Sequence, residues 1–369
     1  MLLKLIALGG LGYAGYRYYE KNRVDRNGVA FADGQPEGQF RDAGAAATGA
    51  LAATASFAQD DKLDTLPYLT GQADLTGQAI LITGTSSGFG RRASELFARA
   101  GATVFATMRN TPRPEADELQ QSARDEGLDI RVLRLDVLLD DEVAEAIATA
   151  EREIGRGIDV LVNNAGVGIT GPVEVQDMEA TKLAFDTNVL GYHRLVRAVL
   201  PGMRARKQGH IFAVSSQLGR VMVPYSGHYS ATKFAVEAMF EQLAYELVPH
   251  NIGVTIIEPG GYPTKVWVNR NRYSQDLKNR ASQIHLDGYP QIVATMGTED
   301  GSGRQADPMD VPRAMARVLA MAPGIRPVRL PVSAGSIPQV AINEVCAETQ
   351  VGWLGESGYG PLIKAVHNV

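Results

Sequence analysis

Tyr229 and Lys233 stand four residues apart at the start of a run with helical periodicity, Tyr229 to Leu247. Four residues is about one helical turn, so the phenol and the ammonium share one face. A nearby cation favours phenolate over phenol and draws the tyrosine pKa down. A tyrosine tuned in this way gives or takes a proton at an alcohol or carbonyl oxygen. Ser216 lies thirteen residues before Tyr229 and, with Ser215, ends an apolar run, Ile211–Val214, that reads as a buried strand. Its hydroxyl is able to hydrogen-bond the same oxygen. Tyr-x-x-x-Lys alone arises by chance in many helices, with the tyrosine half-buried and the lysine solvated, so the surrounding elements have to decide.

Those elements are regular from Leu75 onward. Ala79–Ile82 is a short apolar strand, and it runs into Thr83-Gly84-Thr85-Ser86-Ser87-Gly88-Phe89-Gly90 before a helical pattern, Arg91 to Arg99. Strand, glycine-rich turn and helix make a phosphate-binding start: the glycines allow a tight turn and close backbone approach, and the helix N-terminus offers free N–H groups. The next strand, Thr103–Met108, is followed by Arg109. An acid there would suit a ribose 2′-hydroxyl, whereas an arginine suits a 2′-phosphate. NADP(H) is therefore favoured, with NAD(H) as the alternative; a solvated surface arginine is the competing reading. A polar helix, Glu115 to Glu126, leads to a third strand, Ile130–Leu135, which ends at Asp136-Val137. Asp136 is placed either to contact an adenine or to cap a helix over Asp140–Ile154.

A fourth strand, Ile158–Val162, ends in Asn163-Asn164-Ala165-Gly166, small residues that let a strand end approach a cofactor and that a plain loop also tolerates. A long helix is predicted from Met178 to Lys207 with Asn188 inside it, where its amide holds a water, distorts the helix or faces solvent. After the Ser216 strand comes a sixth, Gly253–Ile257, ending in Glu258-Pro259-Gly260-Gly261-Tyr262-Pro263-Thr264. Strands and helices alternating at this spacing predict an α/β fold, a doubly wound parallel sheet with helices on both faces. Ligands of such sheets sit beyond the carboxyl ends of the strands.

Composition narrows the remaining classes. The chain has 369 residues, 45% hydrophobic and 21% charged, which is globular and long enough for a large core. A net charge of −5 gives no basic footprint for nucleic acid. Cys346 is the single cysteine, and six scattered histidines form no H-x-x-x-H pair, so neither an internal disulfide nor a metal site is expected. Leu2 to Tyr19 is apolar but interrupted by Lys4 and Arg17, marginal for a membrane span. Ala43 to Ala58 has the small residues of a signal cleavage region without a hydrophobic core of its own. The expected organisation is a leader over 1–73, with membrane contact through residues 1–20, a catalytic domain over 74–335, and a C-terminal helix and tail over 336–369. The expected location is the cytoplasm, membrane-associated if the leader anchors, with export to the cell envelope as the alternative.

Taken together, residues 74–335 resemble the short-chain dehydrogenase/reductase family. The resemblance rests on T-G-x-x-x-G-x-G at 83–90, N-N-A-G at 163–166, Ser216, Y-x-x-x-K at 229–233 and the P-G at 259–260, all in order and at matching spacing. It implies a seven-stranded Rossmann sheet and a tetrad of Asn188, Ser216, Tyr229 and Lys233. Tyr229 would be the general acid/base and Ser216 would orient the substrate oxygen; the family's thirteen-residue gap selects Ser216 over Ser215. Lys233 would bind the nicotinamide ribose and lower the tyrosine pKa, and Asn188 would hold a water in the proton relay. The cofactor would meet Gly84, Ser86, Ser87, Gly88, Phe89, Gly90, Arg109, Asp136, Val137, Asn164, Ala165, Gly166, Tyr229, Lys233, Pro259 and Gly260, with Thr264 at the carboxamide. The implied activity is interconversion of an alcohol and a ketone or aldehyde. A lyase or dehalogenase on the same fold, or a cofactor-sensing regulator, would be expected to lose the glycine turn, Tyr229 or Lys233, and this chain keeps them. The long segment Tyr262–Asp307, which carries Trp267, is expected to cover a sizeable or hydrophobic substrate, and the C-terminal tail to lie at a subunit interface of a homo-oligomer.

Overall fold

The computed structural model describes residues 73–301 and 303–369; the leader and its anchor or signal expectations lie outside them. Seven parallel strands form one sheet in the order β3-β2-β1-β4-β5-β6-β7. They are β1 Ala79–Thr83, β2 Thr103–Met108, β3 Ile130–Arg134, β4 Val160–Asn163, β5 Gly209–Val214, β6 Ile252–Pro259 and β7 Arg329–Val332. The strand order reverses between β1 and β4, which are paired with Ile80 opposite Val160. That switch point opens the crevice where ligands bind in such sheets.

Both faces of the sheet are covered, so the central strands read as unbroken apolar runs rather than alternating ones. On one face, Ile80, Ile82, Val104 and Phe212 pack with Phe97 of α1 (Gly88–Arg99) and Leu119 of α2 (Pro114–Glu126). On the other, Leu81, Phe105, Ile211 and Ile256 pack with α3 (Asp140–Ile154) and α5 (Gly191–Arg206) and with Phe240 of α6 (Tyr229–Leu247). Each buried Phe, Ile or Leu stabilises the fold by roughly 1.5–3 kcal/mol.

Two expectations need refining. The helix predicted from about Met178 to Lys207 is present but carries a π turn: α4 (Met178–Phe185) runs through Asp186–Leu190 into α5 with helical dihedrals at both joins. Asn188 lies in that turn and is fully buried, so the surface position is excluded and local distortion of the helix is what occurs. Asp136 does not cap α3, whose N-cap is Leu139; its carboxylate accepts from the Leu138 N–H at 3.1 Å instead.

After β6 come α7 (Val266–Arg280), the short α8 (Gln283–Leu286) and α9 (Pro290–Thr295), then α10 (Asp310–Ala320). The chain ends in α11 (Gln339–Leu354) and α12 (Gly360–His367). Among the described residues no helix is long and apolar enough to cross a membrane.

At the β7 edge, Arg329 reaches Glu237 at 2.8 Å, Glu241 at 2.6 Å and Glu258 at 3.7 Å. Glu258 also accepts from Asn343 Nδ2 at 2.8 Å. Burial, reinforced by the neighbouring charge of Glu237, pushes the Glu258 carboxyl up to about 8. A carboxyl whose folded pKa is raised contributes stability that is full below its unfolded pKa and is lost as pH rises through the folded one. Glu258→Gln keeps an acceptor for Asn343 but cannot ionise. The melting temperature of wild type is therefore expected to fall relative to the variant as pH rises from the ordinary carboxyl value of 4.5 to about 8. Thermal melts giving parallel pH profiles for both proteins would contradict it.

Candidate active site

The turn after β1 is built by reciprocal hydrogen bonds with the end of β4. Thr83 Oγ1 accepts from the backbone N–H groups of Asn164 and Ala165, each at 3.0 Å. Asn164 Nδ2 donates back to the Thr83 carbonyl at 2.8 Å and the Gly84 carbonyl at 3.2 Å. Gly84 holds φ +70°, and a Cβ there would meet Ala165 Cα at 2.9 Å. No other residue fits both demands. Gly88 (φ +61°) opens α1, whose N-cap Ser87 makes no side-chain cap bond. The first N–H groups of α1 thus lack helical partners, as at any helix start.

This turn lines one end of a cavity of about 840 Å³ that holds nearly every residue predicted for the site. Gly84, Ser86, Ser87, Gly88 and Phe89 face it, as do Arg109, Asp136 and Val137. Asn164, Ala165 and Gly166 form its floor, and Pro259, Gly260 and Thr264 its far side. Two predicted residues do not line it. Gly90 lies behind the turn, where a Cβ would come within 2.5 Å of the Gly84 carbonyl oxygen, so its role is packing the helix against the turn. Asn188 is fully buried, with its amide committed: Oδ1 accepts from Val167 N–H at 2.8 Å, and Nδ2 donates to the Val167 carbonyl at 2.9 Å and Thr232 Oγ1 at 3.0 Å. Both amide hydrogens are used to fasten the strand-end loop to α6, so the water that the resemblance assigned to Asn188 has no free amide donor.

Arg109 is not a solvated arginine. It is half-buried, and its Nη2 donates to the Tyr273 hydroxyl on α7 at 3.0 Å.

The catalytic candidates meet at the other end of the cavity. Ser216 lies near enough to the Tyr229 hydroxyl to draw its pKa down, and its own Oγ accepts from the Leu218 N–H at 3.1 Å. Lys233 is buried; its Nζ donates to the Val214 carbonyl at 2.8 Å and lies 5.7 Å from the Tyr229 ring centroid. Burial draws the lysine down to about 8, against the opposing pull of Glu237. The tyrosine differs from expectation. Desolvation raises its pKa, and the opposing influences are the Ser216 hydroxyl and the positive charge of Arg270, not Lys233. The lysine, drawn down to about 8, loses its proton before so raised a phenol ionises, and so adds no positive charge to that titration.

Residues 78–275 match the sequence model of the family described as short chain dehydrogenase. The chain belongs to that family. Human retinol dehydrogenase 8 is 41% identical over 192 residues, 51% of this chain and 60% of that protein. The chain thus spans less than two thirds of that relative's length. The 3-ketodihydrosphingosine reductase of Bacteroides thetaiotaomicron is 39% identical over 243 residues, 66% of this chain and 84% of that protein. Among solved structures, the closed form of a serine dehydrogenase complexed with NADP+ superposes with a TM-score of 0.57 at 28% identity, covering 69% of this chain and 94% of that one.

This short-chain dehydrogenase also brings to the site side chains of the segment Tyr262–Asp307, expected to cover the substrate; of them the sequence reading points to Trp267 but not to Arg270, Glu299 or Arg304. Trp267 and Arg270 from α7, with Glu299 and Arg304, close the cavity beside Tyr229. Trp267 and Arg270 are three apart on one helical face, which a sequence reader has grounds to notice. Glu299 and Arg304 lie in irregular chain, and no spacing rule connects them to α7.

Proposed function

We propose that this protein is an NADP(H)-dependent oxidoreductase that interconverts a secondary alcohol and a ketone, or reduces an aldehyde. The observation that carries the reading is the meeting of Ser216 with Tyr229 and Lys233, one turn apart on α6, in the same cavity as the open start of α1. The glycine turn fits a dinucleotide: side chains are excluded where backbone must come close, and the residues that open α1 line the cavity. The bound nicotinamide would supply or accept the hydride. Tyr229 would hand its proton to the carbonyl oxygen, or take one from the alcohol, while Ser216 holds that oxygen in place. Lys233, anchored on Val214, would hold the nicotinamide ribose. Asn188 would act through position, keeping the Val167 loop and Thr232 in register. Thr264 and the Pro259-Gly260 turn would meet the carboxamide, Asp136 and Val137 the adenosine, and Arg109 a 2′-phosphate. The NADP+ complex of the related serine dehydrogenase supports this cofactor class.

The cavity wall also carries Leu218, Val223 and Val266. This supports a substrate with an apolar body, in keeping with a retinol dehydrogenase and a ketodihydrosphingosine reductase among the relatives. Exposed Val345, Trp353 and Tyr359 on the C-terminal segment support an oligomer interface there. The test is NADPH binding by fluorescence, then its oxidation at 340 nm against ketones, aldehydes and keto esters, and the reverse reaction with secondary alcohols. Tight NADPH binding with no turnover of any member would favour a cofactor-sensing protein instead.

A further inference from the structure

The lid end of the cavity holds an arrangement that hydride transfer does not require. Two guanidinium groups stack on the Trp267 indole, with the Arg270 carbon 4.2 Å and the Arg304 carbon 4.1 Å from its ring centroid. The indole N–H donates to the Tyr262 carbonyl at 2.7 Å, which fixes the plane of the stack. Two glycines make room for it. A Cβ at Gly301 would meet Trp267 Cδ1 at 2.4 Å, and one at Gly261 would meet Arg304 Nη1 at 2.8 Å. Glu299 bridges the pair, accepting from Arg304 Nη2 at 2.6 Å and from Arg270 Nη2.

The stack stands next to the reacting groups. A Cβ at Gly168 would touch Arg270 Cγ at 3.4 Å and the Tyr229 ring at 3.8 Å, so the arginine stem runs alongside the tyrosine. Of the described acidic residues that line the cavity, Glu115 and Asp136 lie at the end of α2 and β3, and Glu115 already pairs with Arg113 at 2.9 Å. Glu299 alone serves the lid end, against Arg270 and Arg304, with Arg272 also on the wall. The charge there is therefore net positive. The Nε of Arg270 is buried without a hydrogen-bond partner, a costly state for a guanidinium donor. Glu299 itself shows which group the pair accepts: a planar carboxylate meeting two guanidiniums side by side.

We propose that the Arg270–Trp267–Arg304 stack is the substrate's carboxylate subsite, so that the preferred substrate is a keto acid or hydroxy acid with an apolar chain. This rests on the oxidoreductase reading for its chemistry but not for its binding. The carboxylate would meet the cavity-facing edges of the Arg270 and Arg304 guanidiniums beside Glu299, and the apolar chain would lie along Val223 and Val266. Arg270 would then both bind the substrate and hold positive charge beside the Tyr229 hydroxyl.

The test uses keto acids of increasing chain length and their methyl esters, which differ only in the charge. With NADPH, kcat/KM for the best acid is expected to exceed that for its ester by about tenfold or more, the scale of one charge-assisted hydrogen bond. Arg270→Gln and Arg304→Gln should each shrink that acid-to-ester ratio about tenfold. A pair that merely clasps the lid would lower acid and ester turnover together and leave the ratio unchanged, and that result would overturn the proposal. A second readout is independent of turnover. In a Trp353→Phe background, where the substituted tryptophan is exposed, Trp267 emission should respond saturably to the keto acid and not to the ester, and each arginine variant should weaken the response about tenfold. Selective acid binding without turnover would remove the oxidoreductase reading and leave this subsite standing. Turnover of esters with no preference for acids in either readout would remove the subsite alone.

Discussion

Tyr229→Phe is expected to lower turnover by about 10²–10⁴-fold, the usual contribution of a positioned acid or base. The substitution keeps the ring beside Gly168 and the packing at the head of α6 but removes the transferable proton. NADPH affinity, read by fluorescence titration, should change little, because on the proposed reading the dinucleotide's phosphates would be met at the start of α1. The wild-type phenol is raised by burial, and Ser216 and Arg270 pull it back. Activity in the oxidative direction, which needs phenolate, should accordingly climb with pH; in the reductive direction, which needs phenol, it should decline as the hydroxyl ionises. A variant that keeps more than about a tenth of wild-type turnover would remove Tyr229 from the proton path.

Arg109→Asp is expected to reverse cofactor preference. The guanidinium projects into the cavity at the end of β2 and is held there by the Tyr273 hydroxyl of α7. A 2′-phosphate brings about two negative charges, which a guanidinium meets with paired hydrogen bonds. At ~1.5–3 kcal/mol for a charge-assisted bond, the preference for NADPH should be about tenfold to over a hundredfold. Aspartate replaces that attraction with repulsion and offers an acceptor to the free 2′-hydroxyl of NADH. Steady-state kinetics with both cofactors at one ionic strength should show kcat/KM for NADPH falling far more than that for NADH rises. A ratio within about twofold of wild type would mean that backbone groups alone set the preference.

Much of this architecture is legible in the chain because parallel strands buried on both faces leave continuous apolar runs. The strand Thr103–Met108 and the helices Asp140–Ile154 and Tyr229–Leu247 have the bounds their patterns predict. The glycine turn was legible because positive φ and close contact leave glycine without a substitute at position 84. What periodicity does not carry is equally specific. The π turn at Asp186–Leu190 inserts a residue without breaking the apolar pattern, so α4 and α5 read as one helix. Gly90 shares its motif with residues that face the cavity, yet it faces the turn's backbone. The spacing of Tyr229 and Lys233 placed them on one face but did not reveal that Lys233 is bound to Val214, nor that the charge acting on the phenol comes from Arg270 on another helix. Arg304 and Trp267 are distant in sequence and meet only because two glycines open space for their stack.

The central claim is that hydride passes directly between the nicotinamide and the substrate's carbonyl carbon while Tyr229 supplies the proton. NADPH deuterated at C4 of the ring, incubated with the protein and the keto acid and keto ester series, tests it in one step. The account predicts that one of the two C4-deuterated diastereomers delivers its deuterium to the carbinol carbon of the alcohol product, read by mass spectrometry, and that the Tyr229→Phe protein yields almost none. Product alcohol without deuterium from either diastereomer, or no NADPH oxidation with any carbonyl despite tight cofactor binding, would contradict it.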